Sequence, residues 1–480
     1  MKITRILFAM LLVLTMLFGA AVAVNAQAGT WVTGIMIQNQ STDQPAHITV
    51  TFYWAEGTPL AGQVAHTFED TIPANGSVSY YVPTSAKTAG LPSDFVGSAV
   101  VSSDQPVVAN LNTQVPSGSG AAPTDPNRVG TASGVLEPST TLYFTQVMKE
   151  YWGWNSYVAV QNTSANTANV TIKYYNQSDG SEVVAAQQTV TIHPYSTKVF
   201  RQSENAGLPA SFSGSAVVTG DQPLAGVANF FNDGTTAAKA AFNSYNAFSG
   251  GATKLYVPRL VRNYYDYQGG LTIQNVGTAA TNVTITYYFG GNTYTQTINN
   301  IQPNACKILY MPNVTELGTV AGSGSAIIVS SGQPIVATVN EDNRTGAALP
   351  GHEGRSVTYN AIPDGKQTTA VLFPQVTSKF YGYCSGVQIQ NVGAAPANVT
   401  ATFSMPGHTD IVVTAVVQPN ASKDWFAPNV VTYPDFNGSV VITSDQPIVG
   451  IANTSVRTDI DTRYPANYGD SYLMYNGVNK

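Results

Sequence analysis

The chain has 480 residues, more than a single hydrophobic core organises, because cores stop growing near roughly 250 to 300 residues and longer chains divide. Charged residues make up only 10%, while Gly, Tyr, Asn, Thr, Ser and Val are abundant, which excludes a charge-laced helical protein and favours strands and turns. A formal charge of -6 excludes the basic footprint that nucleic-acid binding requires.

The chain opens with "MKITRILFAMLLVLTMLFGAAVAVNAQAG": a short positive start, an apolar run from Ile6, a break at Gly19, and small residues at Ala23 and Ala26. This reads as a secretory signal peptide over residues 1–26, cleaved after Ala26, with Ala28 as the second choice. An uncleaved anchor is the competing reading, since Ile6 to Val24 is almost long enough to span a bilayer. Loss of Lys2 and Arg5 with the leader takes the charge from -6 to -8. No lipid-accepting cysteine follows, and "SYLMYNGVNK" carries neither a hydrophobic tail nor a sorting motif. The expected location is secreted, extracellular or at the cell surface, with no membrane association once the leader is gone.

Beyond the leader the chain repeats itself. "GSAVVSSDQPVVANLN" at Gly97 returns in varied form at Gly214, Gly324 and Gly438, and "IQN" or its variant carries Gln38, Gln161, Gln274 and Gln390. Spacings of 111 to 123 residues mark whole domains, since solenoid repeats are shorter. The expected division is domain 1 over 27–138, domain 2 over 139–250, domain 3 over 251–366 and domain 4 over 367–480.

Within each copy an "NVT" strand alternates apolar and polar residues. Ile48, Val50 and Phe52 share one face, as do Val170, Ile172 and Tyr174, Val283, Ile285 and Tyr287, and Val399, Ala401 and Phe403. This is the pattern of a half-buried antiparallel strand. "GSAVV" and "PVVAN" read as two strands of a hairpin around a Ser-Asp-Gln-Pro turn, with Pro106, Pro223, Pro334 and Pro447 fixing the register of the second. Gly332 replaces the Asp in the third copy, which argues against a metal at that position. Gly-, Pro-, Ser- and Asp-rich segments follow, Gln114 to Pro138, Asn232 to Ser244, Glu341 to Ser356 and Thr454 to Ser471, and read as loops where binding would reside.

A further element recurs only at the seams between copies: "LYFTQVMKEYWGW" from Leu142, "LYVPRLVRNYYDY" from Leu255 and "LFPQVTSKFYGY" from Leu372. It reads as a strand with an aromatic link into the next "IQN" strand. Domain 1 lacks it, so an unpaired sheet edge is expected there. Trp152, Trp154, Tyr264, Tyr265, Tyr267, Phe380, Tyr381 and Tyr383 in these seams are candidates for platforms against sugar rings or a protein partner; the alternative is that they pack domain on domain.

Catalytic motifs are absent: there is no G-x-S-x-G elbow and no phosphate loop, and "HEGR" at His352 lacks the second histidine of a zinc helix. Asp459 and Asp461 fit no calcium-loop spacing. The expectation is a non-enzyme with no cofactor and no metal site. Two recurring asparagine sets, Asn39, Asn162, Asn275 and Asn391, and Asn112, Asn229, Asn340 and Asn453, read as strand-end fasteners. Cys306 and Cys384 are the only cysteines, and a disulfide between domain 3 and the start of domain 4 is one expectation in an oxidising compartment.

With "GSAVV..SDQPIV" after an "IQN...NVT.TYY" pair in four copies, the chain resembles the tandem immunoglobulin-like β-sandwich repeats of secreted bacterial surface proteins. The resemblance implies an all-β fold of four tandem immunoglobulin-like antiparallel β-sandwich domains, a rod used for adhesion, surface-layer building or spacing. A jelly-roll or fibronectin-like strand order stays open as the alternative, since no copy has its own cysteine pair. Expected partners are other surface proteins or extracellular polysaccharide, with self-association into a filament by strand addition as a third role.

Overall fold

The computed structural model describes residues 10–14, 31–115, 127–233, 240–343, 354–463 and 469–480. The fold is nearly all strand, in several antiparallel sheets. Strands of the first repeat are β1 (Met10–Leu14), β2 (Val32–Asn39), β3 (Ala46–Trp54), β4 (Val64–Ile72), β5 (Ser77–Tyr81), β6 (Gly97–Ser103), β7 (Val107–Val115) and β8 (Arg128–Ser133). They form an outer sheet ordered β1-β6-β3-β4 and an inner sheet ordered β5-β2-β7-β8. This is not the immunoglobulin order, in which the first two strands lie side by side. Here β1 and β2, β2 and β3, and β6 and β7 lie in opposite sheets.

The expected hairpin is therefore a corner. β6 pairs with β1 and β3, and β7 pairs with β2 and β8, so the Ser-Asp-Gln-Pro turn carries the chain from one sheet to the other. In the second and fourth repeats both runs belong to one strand, Phe212–Asp233 and Phe436–Val456, which links the two sheets. The recurring residues hold this corner. Asp104, Asp221 and Asp445 accept the backbone N–H of His47, Asn169 and Asn398 at 2.7, 2.8 and 2.8 Å, pinning the start of each "NVT" strand. Where Gly332 replaces the Asp, Ser331 Oγ takes the N–H of Asn282 at 3.1 Å. Each turn proline offers its carbonyl to the chain just past the "IQN" strand, from Gln40, Thr163, Val276 and Val392.

The "NVT" strands bury their expected faces: Ile48, Val50 and Phe52 are at most 2% exposed, as are the three counterpart sets. The "IQN" strands differ, because their inner sheets are covered on both sides. Gln38, Gln161, Gln274 and Gln390 are fully buried, and the "IQN" asparagines clamp loops, with Asn39 Nδ2 donating to the carbonyls of Gln44 and Ile72 at 2.8 and 3.1 Å.

What covers the inner sheets is the rest of the molecule. The segments expected to be loops continue, after their tips, into strands: β8 and its counterparts Ala240–Asn246, Ser356–Asn360 and Leu473–Asn476. These four pack in succession, and the fourth returns to β8. Asn246 Nδ2 donates to Ser133 O at 2.6 Å, Asn360 Nδ2 to Asn246 O at 2.8 Å, and Asn476 Nδ2 to Asn360 O at 2.6 Å. Asp470 N donates to Asn127 O at 2.8 Å, and Asn127 Nδ2 returns a bond to Asp470 O. The repeats thus close into a ring, and the expected rod is not formed. The physical reason is polar self-complementarity: Asn246, Asn360 and Asn476 each end their strand with an amide that satisfies the backbone of a neighbouring repeat, and a rod would leave those groups to water. The tips of the variable segments lie outside the described residues.

Around the outside, the serine of "GSAVV" makes the corresponding bond. Ser98, Ser215 and Ser325 donate to the carbonyls of Tyr195, Asn304 and Asn420 in the next repeat at 2.8, 2.6 and 3.0 Å. The glycine before it is required by close approach: a Cβ on Gly97 or Gly214 would lie 2.0 or 2.1 Å from the carbonyl of Tyr53 or Tyr175.

With the expected leader still attached, the edge of repeat 1 expected to be bare is occupied. β1, within the expected leader, pairs with β6 in the register Leu14↔Ala99 and Leu12↔Val101. The seam strand Ser139–Lys149 occupies the same slot in repeat 2, with Phe144↔Ala216 and Leu142↔Val218. The seam strands are therefore the first strands of repeats 2, 3 and 4.

Candidate functional site: the seam clefts

Each seam strand turns into its "IQN" strand through a two-residue hairpin. Tyr151 and Trp154 exchange backbone bonds of 2.9 Å around Trp152 and Gly153, and Phe380 and Tyr383 do the same around Tyr381 and Gly382. In repeat 3 the pair is Tyr264 and Tyr267, around Tyr265 and Asp266. Both central residues are left-handed each time, with φ of 53 and 82° for Trp152 and Gly153, 50 and 66° for Tyr265 and Asp266, and 49 and 80° for Tyr381 and Gly382. That is the geometry of a type I′ turn, which favours Asn-Gly.

A large aromatic is an expensive choice there, since left-handed geometry costs a non-glycine residue on the order of 1 kcal/mol or more. Burial gives little back. Trp152 is 84%, Tyr265 55% and Tyr381 63% exposed, each set edge-to-face against the aromatic before it. Because the repeats follow one another around a closed ring, equivalent tips project at the same rim. The corresponding tip of repeat 1, Gly29 and Thr30, lies outside the described residues.

The other candidates pack between repeats. Tyr267 is 7% exposed, with its ring 5.2 Å from that of Tyr472 in repeat 4, and Trp154, Tyr264 and Tyr383 are half-buried. Sequence reasoning missed Trp31, which stands seven residues before Gln38 as Trp154 stands before Gln161. Its ring lies 4.8 Å from Phe242 of repeat 2.

Beneath the tips, each seam faces the inner sheet of the next repeat, and these interfaces differ. Where repeat 1 meets repeat 2, Tyr157 fills the space, 6% exposed, its ring 6.4 Å from Phe242 and under the Arg201 guanidinium. Burial pushes its hydroxyl well above the ordinary tyrosine range. Where repeat 3 meets repeat 4, Arg259 fills it. This guanidinium grips Glu341 at 2.7 and 3.1 Å and reaches Gln388 at 3.3 Å. At the remaining two interfaces the residue matching Tyr157 is Gly34 or Gly270, and a cleft is open. The cleft between repeats 4 and 1 has a volume of about 590 Å³, and that between repeats 2 and 3 about 240 Å³.

The larger cleft is lined by Gly34, Tyr81, Asn112, Gln375, Tyr381 and Tyr383, among others, and no lining residue carries a formal charge. Asn112 Nδ2 donates to Gln375 Oε1 at 2.7 Å and Asn112 Oδ1 accepts from Thr131 at 3.0 Å. The smaller cleft has Trp152, Trp154, Gly270, Tyr310 and Asn340 in the equivalent places, with Asp342 as its charged member. Asn340 Oδ1 is buried and has no partner among the described residues. Asn112 and Asn340 were expected to fasten strand ends; they stand instead within their strands at the clefts, because those strands face a neighbouring repeat. The signal was available in the alignment of copies, which reads Gly, Tyr, Gly, Gly four residues before the "IQN" glutamine.

No protein-family model matches the chain, and no curated protein does. Several solved structures are similar. Thermotoga maritima 1070 is 17% identical over 24% of this chain and 96% of its own, with a TM-score of 0.20. An Anabaena sensory rhodopsin transducer is 20% identical over 18% and 93%, with a TM-score of 0.16. A tetra-tandem repeat in the extending region of a large adhesion protein is 14% identical over 98% and 99%, with a TM-score of 0.13.

Cys306 and Cys384 are free, buried thiols rather than a bridge. Cys306 pairs with Gln274, whereas Cys384 lies six residues before Gln390, the counterpart of Gln274 in repeat 4, which is about 20 Å along an extended strand. Burial pushes the Cys306 thiol up to about 12 and raises that of Cys384, so neither is poised as a nucleophile. Asp459 and Asp461 pair with Arg457 and Arg463 at 2.5 and 2.9 Å. Among the described residues no group of three or more His, Cys, Asp or Glu is placed to hold a metal ion, and no helix is long and apolar enough to cross a membrane.

Proposed function

We propose that the chain is a non-enzymatic, secreted or cell-surface protein with a structural and adhesive role, and that it holds its partners at the aromatic seams of a closed ring. One observation carries this reading. Three times, a bulky aromatic occupies a left-handed turn position that disfavours it, and each time the ring faces solvent. Bulky side chains kept against local preference and largely exposed are the expected mark of a contact surface. Three equivalent tips on one rim would also multiply a weak contact through effective concentration. Secretion fits the leader-like start.

The test is adhesion. Beads coated with the protein are expected to bind producing cells and the material they shed, whereas beads coated with the Trp152→Asn, Tyr265→Asn, Tyr381→Asn variant bind several-fold less. Equal capture by both, with both folded, refutes the reading.

A further inference from the structure

The interfaces of the ring alternate between sealed and open, and the difference lies in single residues at matched positions. Repeat 2 has Tyr157 where repeats 1 and 3 have Gly34 and Gly270; repeat 4 also has glycine, Gly386, but there Arg259 and Gln388 occupy the gap. A Cβ on Gly34 meets nothing within 4 Å, and one on Gly270 meets only ordinary contacts at 3.7 and 3.8 Å. The open space is therefore not a packing requirement of the strand. It is space that one side chain would close and that repeat 2 does close.

The geometry points to these two clefts as binding sites for neutral saccharide chains, the larger between repeats 4 and 1 and the smaller between repeats 2 and 3. This rests on the reading of the seams as contact surfaces and gives it a ligand class. The chemistry of the larger cleft selects the occupant. A pyranose ring presents a C–H face that lies against an aromatic, and Tyr81, Tyr381 and Tyr383 supply aromatic surface there. Its hydroxyls each donate and accept, which matches side-chain amides, and Gln114 and Gln375 bring both functions to the cleft. With no charged lining residue, an anionic sugar or a phosphorylated ligand has no counter-ion, and the chain's net charge of -6 repels it further. The volume, about 590 Å³, falls within the usual range of small-molecule pockets, roughly 300 to 1,000 Å³. The glycine floor admits a ring close to the backbone. In the smaller cleft the unpartnered Asn340 Oδ1 is an acceptor awaiting a hydroxyl.

The test is affinity electrophoresis of the full chain in native gels containing amylopectin, galactomannan, xyloglucan or dextran, with dextran sulfate as the charged comparison. At least one neutral polymer is expected to slow the protein two-fold or more, and dextran sulfate is not. Gly34→Tyr, which copies the plug of repeat 2, is expected to remove most of the retardation, and Gly34→Tyr with Gly270→Tyr all of it. Tyr381→Ala removes a wall of the larger cleft instead of filling it and is expected to weaken binding at least five-fold. Val416→Tyr, on an exposed face far from both clefts in the sheet order, is expected to behave as wild type. Retardation by none of the neutral polymers, by dextran sulfate alone, or to an extent the double glycine variant leaves unchanged overturns the assignment. If bead adhesion still depends on the aromatic tips in that case, the saccharide inference alone has failed, and a protein partner is indicated.

Discussion

Glu341→Gln is the most informative stability test of the ring. The Glu341 carboxylate is fully buried, accepts Arg259 at 2.7 and 3.1 Å, and takes the hydroxyl of Tyr472 from repeat 4 at 3.0 Å. Arg259 in turn reaches Gln388 of repeat 4. Neutralising Glu341 leaves a buried guanidinium without its counter-charge, a change that costs about 3 to 5 kcal/mol in comparable buried pairs. A unit of four repeats need not unfold in one step, so the readout is native-state hydrogen exchange at the amides of Tyr267–Asn275 and Ile335–Asn343. The expected effect is a rise in exchange of about a hundredfold to a few thousandfold. Sister repeats carry Gln146 and Gln375 in place of Arg259, and Thr113 and Thr454 in place of Glu341. The double variant Arg259→Gln, Glu341→Thr is therefore expected to exchange more slowly than Glu341→Gln alone, since no uncompensated charge remains. A single variant that changes exchange less than five-fold, or a double variant that exchanges faster than the single, refutes the reasoning.

Trp152→Asn creates an Asn-Gly turn and is expected to stabilise its repeat by roughly 1 kcal/mol while weakening adhesion, read by chemical denaturation beside the bead assay; a loss of stability would mean that the indole packs. Asp470 accepts backbone N–H groups from Tyr472, Phe242 and Ser356 at 3.0, 3.3 and 3.2 Å, and burial raises its carboxyl well above the ordinary range despite those bonds and the nearby Arg355. A raised folded value means that its contribution is complete below the unfolded value and is lost as pH rises through the folded one. The gap in melting temperature between wild type and Asp470→Asn is expected to change across that window, and a constant gap counts against a raised carboxyl. A chain lacking residues 1–26 is expected to show faster amide exchange in Gly97–Ser103 than in Gly322–Ser330, because β6 loses β1 while its counterpart keeps its seam strand; equal protection would mean that another segment takes the slot.

Much of a single repeat could be read from the sequence, and the assembly could not. The "NVT" faces followed from alternation alone, because that strand has one buried and one wet side. The Ser-Asp-Gln-Pro segment reads as a hairpin yet forms a corner, since a tight turn between two apolar runs looks the same whether the strands pair or part into two sheets. Polar residues hid the ring. Ser98, Asn246 and Asn360 carry no sequence mark of their partners, and only three dimensions show that those partners belong to a neighbouring repeat. The seam aromatics were legible as a group, but which were tips depended on backbone geometry, and the clefts depended on what stands opposite Gly34 and Gly270.

The unlike interfaces have a consequence for how such a molecule can change. Four separate, identical subunits around a rotation axis must share every contact, so a mutation that opens one junction opens all of them. Tying the copies into one polypeptide lifts that obligation: Tyr157 and Arg259 can lock two junctions for rigidity while Gly34 and Gly270 leave the others free to acquire separate specificities. Covalent linkage has here turned symmetry into a division of labour.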